Sequence, residues 1–344
     1  MKYVHDDRHR LHFPQGELFG GELVTPFERP SRVEYILRRI RETGFGELVA
    51  PGALDWDPVR AIHAPDYLDF LATAWDEWVS EGFRGEIIAS SYPARGMRQI
   101  PPRNIDGKVG YYALASETAM TAGTLAAAEA SCAIAQTAQR LVAASERAAF
   151  GLCRPPGHHA SRDQFGGYCF LNNAAIVAEM FRADGVERVA VLDIDFHHGN
   201  GTQAIFYGRG DVLFLSLHGQ PEDAFPYFLG YADETGEGAG EGANMNYPMP
   251  PGTPFEVWGA ALDDAIGKIR ESGAEALVVS LGVDAFKEDP ISFFKLGSED
   301  FREAGRRISG LGLPTVFLLE GGYAIGAVGI NVVNVLQGFE DAQK

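Results

Sequence analysis

From residue 147 onward the chain alternates short apolar runs with longer stretches of helical spacing, and this alternation constrains the fold more than any other feature. The runs are "RAAFGLC" (147–153), "RVAVLDI" (188–194), "DVLFLSL" (211–217), "EALVVSL" (275–281) and "LPTVFLL" (313–319). Each is too short for a helix, mostly β-branched or rich in Leu and Phe, and apolar at odd and even positions alike. A strand with one wet face alternates apolar and polar residues; a strand covered on both faces has no such need. Helical candidates lie between the runs, at 171–183, 254–272 and 299–310. Strand–helix alternation of this kind predicts an α/β fold, a mostly parallel sheet flanked by helices on both faces.

The N-terminal half reads as mostly helical. "SRVEYILRRI" opens with the residues of a capping box, Ser31 and Glu34, and Val33, Ile36, Leu37 and Ile40 then form one apolar stripe. Residues 65–79 predict a second helix, and the Ala-rich stretch 117–144 predicts one or two more. Residues 81–110 break the pattern, with Pro, Gly and Arg scattered without period. Loops of that length usually shape a site or make a contact, and Ile87, Ile88, Tyr92 and Ile100 within it are expected to be buried. The expectation is a single catalytic domain, 1–344, carrying an insertion at about 81–110.

Charge and composition narrow the function classes. With 47 Asp and Glu against 29 Lys and Arg, the net charge is −18. That disfavours nucleic acid, whose phosphates need basic patches; an acidic surface can also concentrate a cationic substrate, but net charge alone favours simple solubility. No apolar run reaches membrane-spanning length. "MKYVHDDRHR" lacks the apolar core of a signal peptide, and Cys132, Cys153 and Cys169 form no CxxC. The chain is therefore expected to be cytoplasmic, with neither nucleic acid nor membrane as partner.

In open parallel sheets ligands bind beyond the carboxyl ends of the strands. Those ends carry His158 and His159 in "RPPGHHA", the stretch "DIDFHHGNGT" (193–202), His218, Asp284 in "GVDAF" and Tyr323 in "EGGYAIG". Five of the nine histidines fall there, and candidates from five strands converge on one edge. Asp195 and His197 are two apart, so in extended backbone they point the same way. With Asp284 arriving from another strand, two carboxylates and an imidazole with open positions make a catalytic zinc site, though the set also suits iron, cobalt or manganese. Adjacent His158 and His159 do not easily bind one metal from one side; they suit paired proton handling beside it. Asp193 and Asn200 are available as their partners. An Asp favours the imidazolium and an Asn adds no charge, a difference that splits a pair into acid and base. A phenol at Tyr323, on its glycine turn, could donate to a developing oxyanion, but for a lone tyrosine an ordinary core position is the preferred reading. For His198 a structural hydrogen bond is expected.

Together "RPPGHHA", "DIDFHHGNGTQ", "SLH", "GVDAF" and "EGGY" resemble, in order and spacing, the histone-deacetylase-like amidohydrolases of the arginase/deacetylase fold. "ELFGGELVTPFERPSRVE" and the 81–110 insertion resemble more specifically the bacterial acetylpolyamine amidohydrolases. The resemblance implies one zinc ion per subunit on Asp195, His197 and Asp284. It implies His158 and His159 as a tandem pair with His159 the general base and acid, Asp193 behind His158, Asn200 behind His159, and Tyr323 polarising the acetyl carbonyl. It implies structural K+ or Na+ ions, one on Asp193, Asp195, His197, Ser216 and Leu217, the other on the backbone of Phe206, Arg209 and Val212. Gly167, Tyr168 and Phe225 would wall the substrate channel. Glu117 and Asp106 would face the distal cation of an acetylated amine, Asp106 with a shorter reach than the Glu expected there. The insertion implies a homodimer with a narrowed channel mouth. The activity implied is hydrolysis of small acetylated amines, acetylpolyamines and acetylated diamines, to free amine and acetate. The alternatives are a protein-lysine deacetylase and a non-catalytic acetylamine-binding member, the latter opposed by the intact ligand set and Tyr323. An arginase-type two-metal site would need a DxD at residue 284, and residue 286 is Phe.

Overall fold

The computed structural model describes residues 1–342. Its strands are β1 (Lys2–Val4), β2 (Glu17–Phe19), β3 (Glu22–Val24), β4 (Glu47–Val49), β5 (Ala148–Gly151), β6 (Val189–Asp193), β7 (Val212–Gly219), β8 (Asn244–Met249), β9 (Ala276–Leu281) and β10 (Thr315–Leu319). Eight of them form one sheet in the order β4-β1-β5-β10-β9-β6-β7-β8, and every neighbouring pair in it is parallel. β2 and β3 make a separate antiparallel hairpin.

The five apolar runs are the five central strands, and their doubly apolar character has a direct cause. Val189 and Val191 of β6, with Val278 and Val316, pack under the helices Thr124–Ala143 and Asn173–Ala183. Ala190 and Leu192, with Val279 and Phe317, pack under Ser31–Thr43, Phe255–Ser272, Ser298–Ser309 and Ile325–Asp341. Successive residues of one strand thus feed two cores. Each fully buried Val, Leu or Phe contributes about 1.5–3 kcal/mol relative to exposure.

The outer parts of the sheet depart from the expectation of a mostly helical N-terminal half. β1 and β4 have three residues each, too short to show a period. β8 carries Pro248 and lies at the edge, where a missing backbone donor is tolerated. The capping box at Ser31 does not form. Helical backbone already begins at Pro30, which has no side-chain cap, and Val33 donates to the Pro30 carbonyl at 3.1 Å. The Ala-rich stretch is one helix, Thr124–Ala143.

The 81–110 segment is irregular only as far as Asn104, whose side chain accepts from Asp106 N at 3.0 Å and starts the helix Ile105–Tyr112. Ile87 is buried and bridges Met120 through two backbone bonds. Ile88 is half-buried. Tyr92 and Ile100 are exposed, against expectation; the Tyr92 hydroxyl meets Ser116 Oγ at 2.7 Å, which keeps its ring at the surface.

Candidate active site

The chain beyond β6 and β9 brings Asp195, His197 and Asp284 together, with one donor atom from each within 4.8 Å of the others. His197 Nδ1 lies 2.9 Å from Asp284 Oδ2 and 3.3 Å from Asp195 Oδ1. Backbone amides fix the carboxylates from behind: Phe196 N donates to Asp284 Oδ1 and Gly321 N to Asp195 Oδ2, both at 2.7 Å. Gly321 is required by space, since a Cβ there would sit 2.5 Å from an oxygen of each carboxylate. All three side chains are buried. Burial, with Asp195 alongside, pushes the Asp284 carboxyl up to about 8, so two buried carboxylates share a place that favours one proton between them. A divalent cation relieves that repulsion, and this O,N,O donor set fits one.

The tandem histidines stand beside this cluster with their rings 4.0 Å apart. His158 Nδ1 is 2.9 Å from Asp193 Oδ2, and His159 Nδ1 is 2.6 Å from Asn200 Oδ1. Burial depresses both. For His158 the Asp193 and Asp195 carboxylates reverse that and raise it to about 10. For His159 burial is reinforced by positive charge on His158 and His197, and it lies well below its usual value. The carboxylates thus favour the charged form of the His158 ring, and the surroundings of the His159 ring favour its neutral form.

Four buried groups that sequence reasoning did not single out position these arms. Glu320 Oε2 accepts from Gly157 N (2.7 Å) and His158 N (3.2 Å), while Ser280 Oγ donates to its other oxygen. It ties the histidine loop to the end of β10. Asp289 Oδ2 accepts from Tyr323 N at 2.7 Å. Arg32 donates to the carbonyls of Gly322 (2.8 Å) and Glu320 (2.5 Å), and its guanidinium lies 4.9 Å from the Tyr323 ring centroid. Glu28 in turn accepts from Arg32 at 3.0 Å and Arg154 at 2.8 Å. Glu320 opens "EGGY" and Glu28 and Arg32 lie in "FERPSR", but nothing local in either stretch announces burial.

A cavity of about 480 Å³ opens onto the cluster, a size suited to a small ligand. It is lined by His159, His197 and Tyr323, by Gly167, Tyr168 and Phe225, and by Glu17 and Glu117. Gly167 has φ +54°, and a Cβ on it would meet the His159 ring at 2.1 Å. Its amide donates to Glu117 Oε1 at 2.9 Å. The Tyr168 hydroxyl donates to Glu17 Oε1 at 2.6 Å. Burial pushes the Glu17 carboxyl up to about 7, although its bonds with Tyr168 and Phe27 N pull the other way. Glu17 stands in the quoted "ELFGGELV" stretch yet was not foreseen as a cavity residue. Asp106 is not among the residues that line this cavity. It sits on the first turn of Ile105–Tyr112, where Ser90 Oγ donates to it at 3.2 Å.

Asp193 pairs in register with Ser216 across β6 and β7, one residue before Leu217. Phe206 to Val212 form the turn into β7, closed by Arg209 N donating to Phe206 O at 2.8 Å. His218 does not follow a strand end but lies inside β7, held by Ser216 Oγ at 2.9 Å and Gly230 O at 2.8 Å. His198 Nε2 is 3.0 Å from Gln203 Oε1, a structural bond as expected.

A parallel sheet with these groups at one edge is an amidohydrolase architecture, and comparison with known proteins agrees. Residues 26–339 match the histone deacetylase domain, and the chain belongs to that family. It is 53% identical to the acetylpolyamine amidohydrolase of Mycoplana ramosa, over 98% of this chain and 99% of that protein. It is 52% identical to acetylpolyamine amidohydrolase 1 of Pseudomonas aeruginosa, over the full length of both. The crystal structure of the Burkholderia pseudomallei acetylpolyamine aminohydrolase superposes with a TM-score of 0.94 at 36% identity, covering 99% of each chain. Among the described residues no helix is long and apolar enough to cross a membrane.

Proposed function

We propose that this chain hydrolyses the amide of small acetylated amines, acetylpolyamines and acetylated diamines, to amine and acetate, with one zinc ion per subunit held by Asp195, His197 and Asp284. The observation that carries this reading is a cavity that joins His159, His197 and Tyr323 to two carboxylates, Glu17 and Glu117. That arrangement suits a substrate with an amide at one end and a cation at the other. The relatives' names point the same way. The metal, when bound, supplies Lewis-acid polarisation of the carbonyl and of the attacking water.

The protein's own groups do the rest. His159, neutral and with Nδ1 engaged by Asn200, takes the proton of the attacking water at Nε2. His158 remains an imidazolium against Asp193 and keeps positive charge beside the developing anion. The Tyr323 hydroxyl donates to the oxyanion, and His159 returns its proton to the leaving nitrogen. Tyr168 and Phe225 cover the aliphatic chain and exclude water. We read the groups around Asp193–Ser216 and Phe206–Val212 as seats for structural K+ or Na+. We also read 81–104, which exposes Phe83, Met97 and Ile100, as the contact of a homodimer.

The test is a substrate panel on enzyme reconstituted with defined metals: acetylated diamines and polyamines, an uncharged acetylated alkylamine, and acetyl-lysine peptides. The expected order of kcat/KM puts the cationic small amides first by at least about tenfold, the value of one favourable charge contact of roughly 1.4 kcal/mol. Preference for the peptides would overturn the substrate reading.

A further inference from the structure

The turn after β1 gathers three side chains that the reaction does not use: His5, Asp7 and His9. One donor atom from each lies within 4.8 Å of the other two. The imidazole rings are 5.3 Å apart and inclined at 52°, and His5 Nε2 lies 3.5 Å from Asp7 Oδ1. His9 is 1% exposed, yet neither of its ring nitrogens has a hydrogen-bond partner, and His5 Nδ1 is also buried and unpaired. A buried imidazole with both nitrogens unpaired is unfavourable and calls for a ligand.

The electrostatics keep both rings ready to bind. Burial lowers His5, and burial with the Arg154 charge takes His9 down to about 3, so each ring carries a free lone pair at neutral pH. The positive charge of Arg154 near His9 is met by Glu28, 2.8 Å from its Nε. Asp7 is exposed and holds Arg10 only loosely, at 3.8 Å, so its carboxylate can turn inward and the site is open to solvent from that side. Two imidazoles and one carboxylate are the donors that borderline divalent transition metals prefer over calcium or magnesium.

We propose that His5, Asp7 and His9 form a second metal site, taking a divalent ion of the zinc, cobalt or nickel class, distinct from the Asp195, His197 and Asp284 cluster. Its role is to pin the N-terminal turn. The His9 carbonyl accepts from Arg154 Nη1, and Arg154 opens the loop that carries His158 and His159. His12, at the end of the same turn, meets Thr124 Oγ1 at 2.9 Å on the long helix. An ion on the turn therefore tightens the wall behind the histidine loop without touching substrate.

The experiment counts zinc per chain by equilibrium dialysis and elemental analysis, with melting temperature read on the same samples. Wild type should take up two equivalents, the second raising Tm by about 3 °C at saturation. His5→Phe and His9→Gln should take up one and lose that rise. Asp284→Ala should also take up one, retain the Tm gain and lose turnover, which separates this site from the catalytic one. His5 lies at the edge of the turn, so its variant is informative even where His9→Gln folds poorly. One equivalent in saturated wild type overturns the proposal, as does a second equivalent that survives His5→Phe. The first result would mean that the two rings bind only water.

Discussion

Tyr323→Phe isolates the hydroxyl from everything that places it. The ring is buried against Tyr168, at 5.7 Å between centroids, and against the Arg32 guanidinium at 4.9 Å. Its backbone amide is held by Asp289. A phenylalanine keeps all of these contacts, so fold, metal content and KM are expected to stay near wild type. Removal of one oxyanion donor costs about 10²–10³ in kcat, roughly 2.7–4 kcal/mol. Steady-state release of free amine, with zinc counted on the same protein, measures the loss. Asp289 extends the test. Asp289→Ala strips the Tyr323, Ala324 and Ile291 amides of their acceptor and should lower kcat by misplacing the hydroxyl. In the Tyr323→Phe background the same substitution has little left to misplace, so its cost should shrink several-fold. A Tyr323→Phe enzyme within about threefold of wild-type kcat, far short of the expected loss, would remove Tyr323 from the chemistry and Asp289 with it.

Other outcomes follow from the same geometry. Gly167→Ala forces a Cβ to within 2.1 Å of the His159 ring at a φ of +54°, so turnover should fall by more than about tenfold while circular dichroism stays native. Glu17 is pushed up to about 7, so it gains its charge as pH rises through neutrality. kcat/KM for a cationic amide should climb over that interval, and Glu17→Gln should flatten the climb without altering the profile of an uncharged amide. Glu117→Gln should raise KM for acetylpolyamines about tenfold, the value of one lost charge contact, and leave an acetylated alkylamine nearly unaffected. Equal losses on both substrates would sink cation recognition at that residue.

The central sheet and the clustering of the candidate site residues were legible in the sequence for a physical reason. Strands buried on both faces must be apolar throughout, and the residues just past them have no core to fill, so His158, Asp195 and Asp284 stand out against their surroundings. The supporting groups were not legible because their meaning is non-local. Glu320 is one carboxylate in a loop until it accepts from Gly157 and His158, more than 160 residues away in sequence. Glu17 becomes a cavity residue only because Tyr168 reaches it from 151 residues on. His218 misled for the opposite reason. β7 runs to Gly219, two residues beyond the apolar run that announced it, so a residue that looked like an edge position is an interior one. The short strands β1 and β4 were invisible because three residues carry no period.

The position of β10 has a consequence for biogenesis. It lies between β5 and β9, although it is the last strand to be synthesised. Until it arrives, a nascent chain can pair β4, β1 and β5 on one side and β9, β6, β7 and β8 on the other, each fragment ending in an open hydrogen-bonding edge. Such edges recruit other chains, so this protein is most exposed to misassociation until β10 has emerged and filled the gap. Tyr323 leaves the ribosome four residues after the strand that closes the gap, so the cavity it lines is complete only after that strand has emerged.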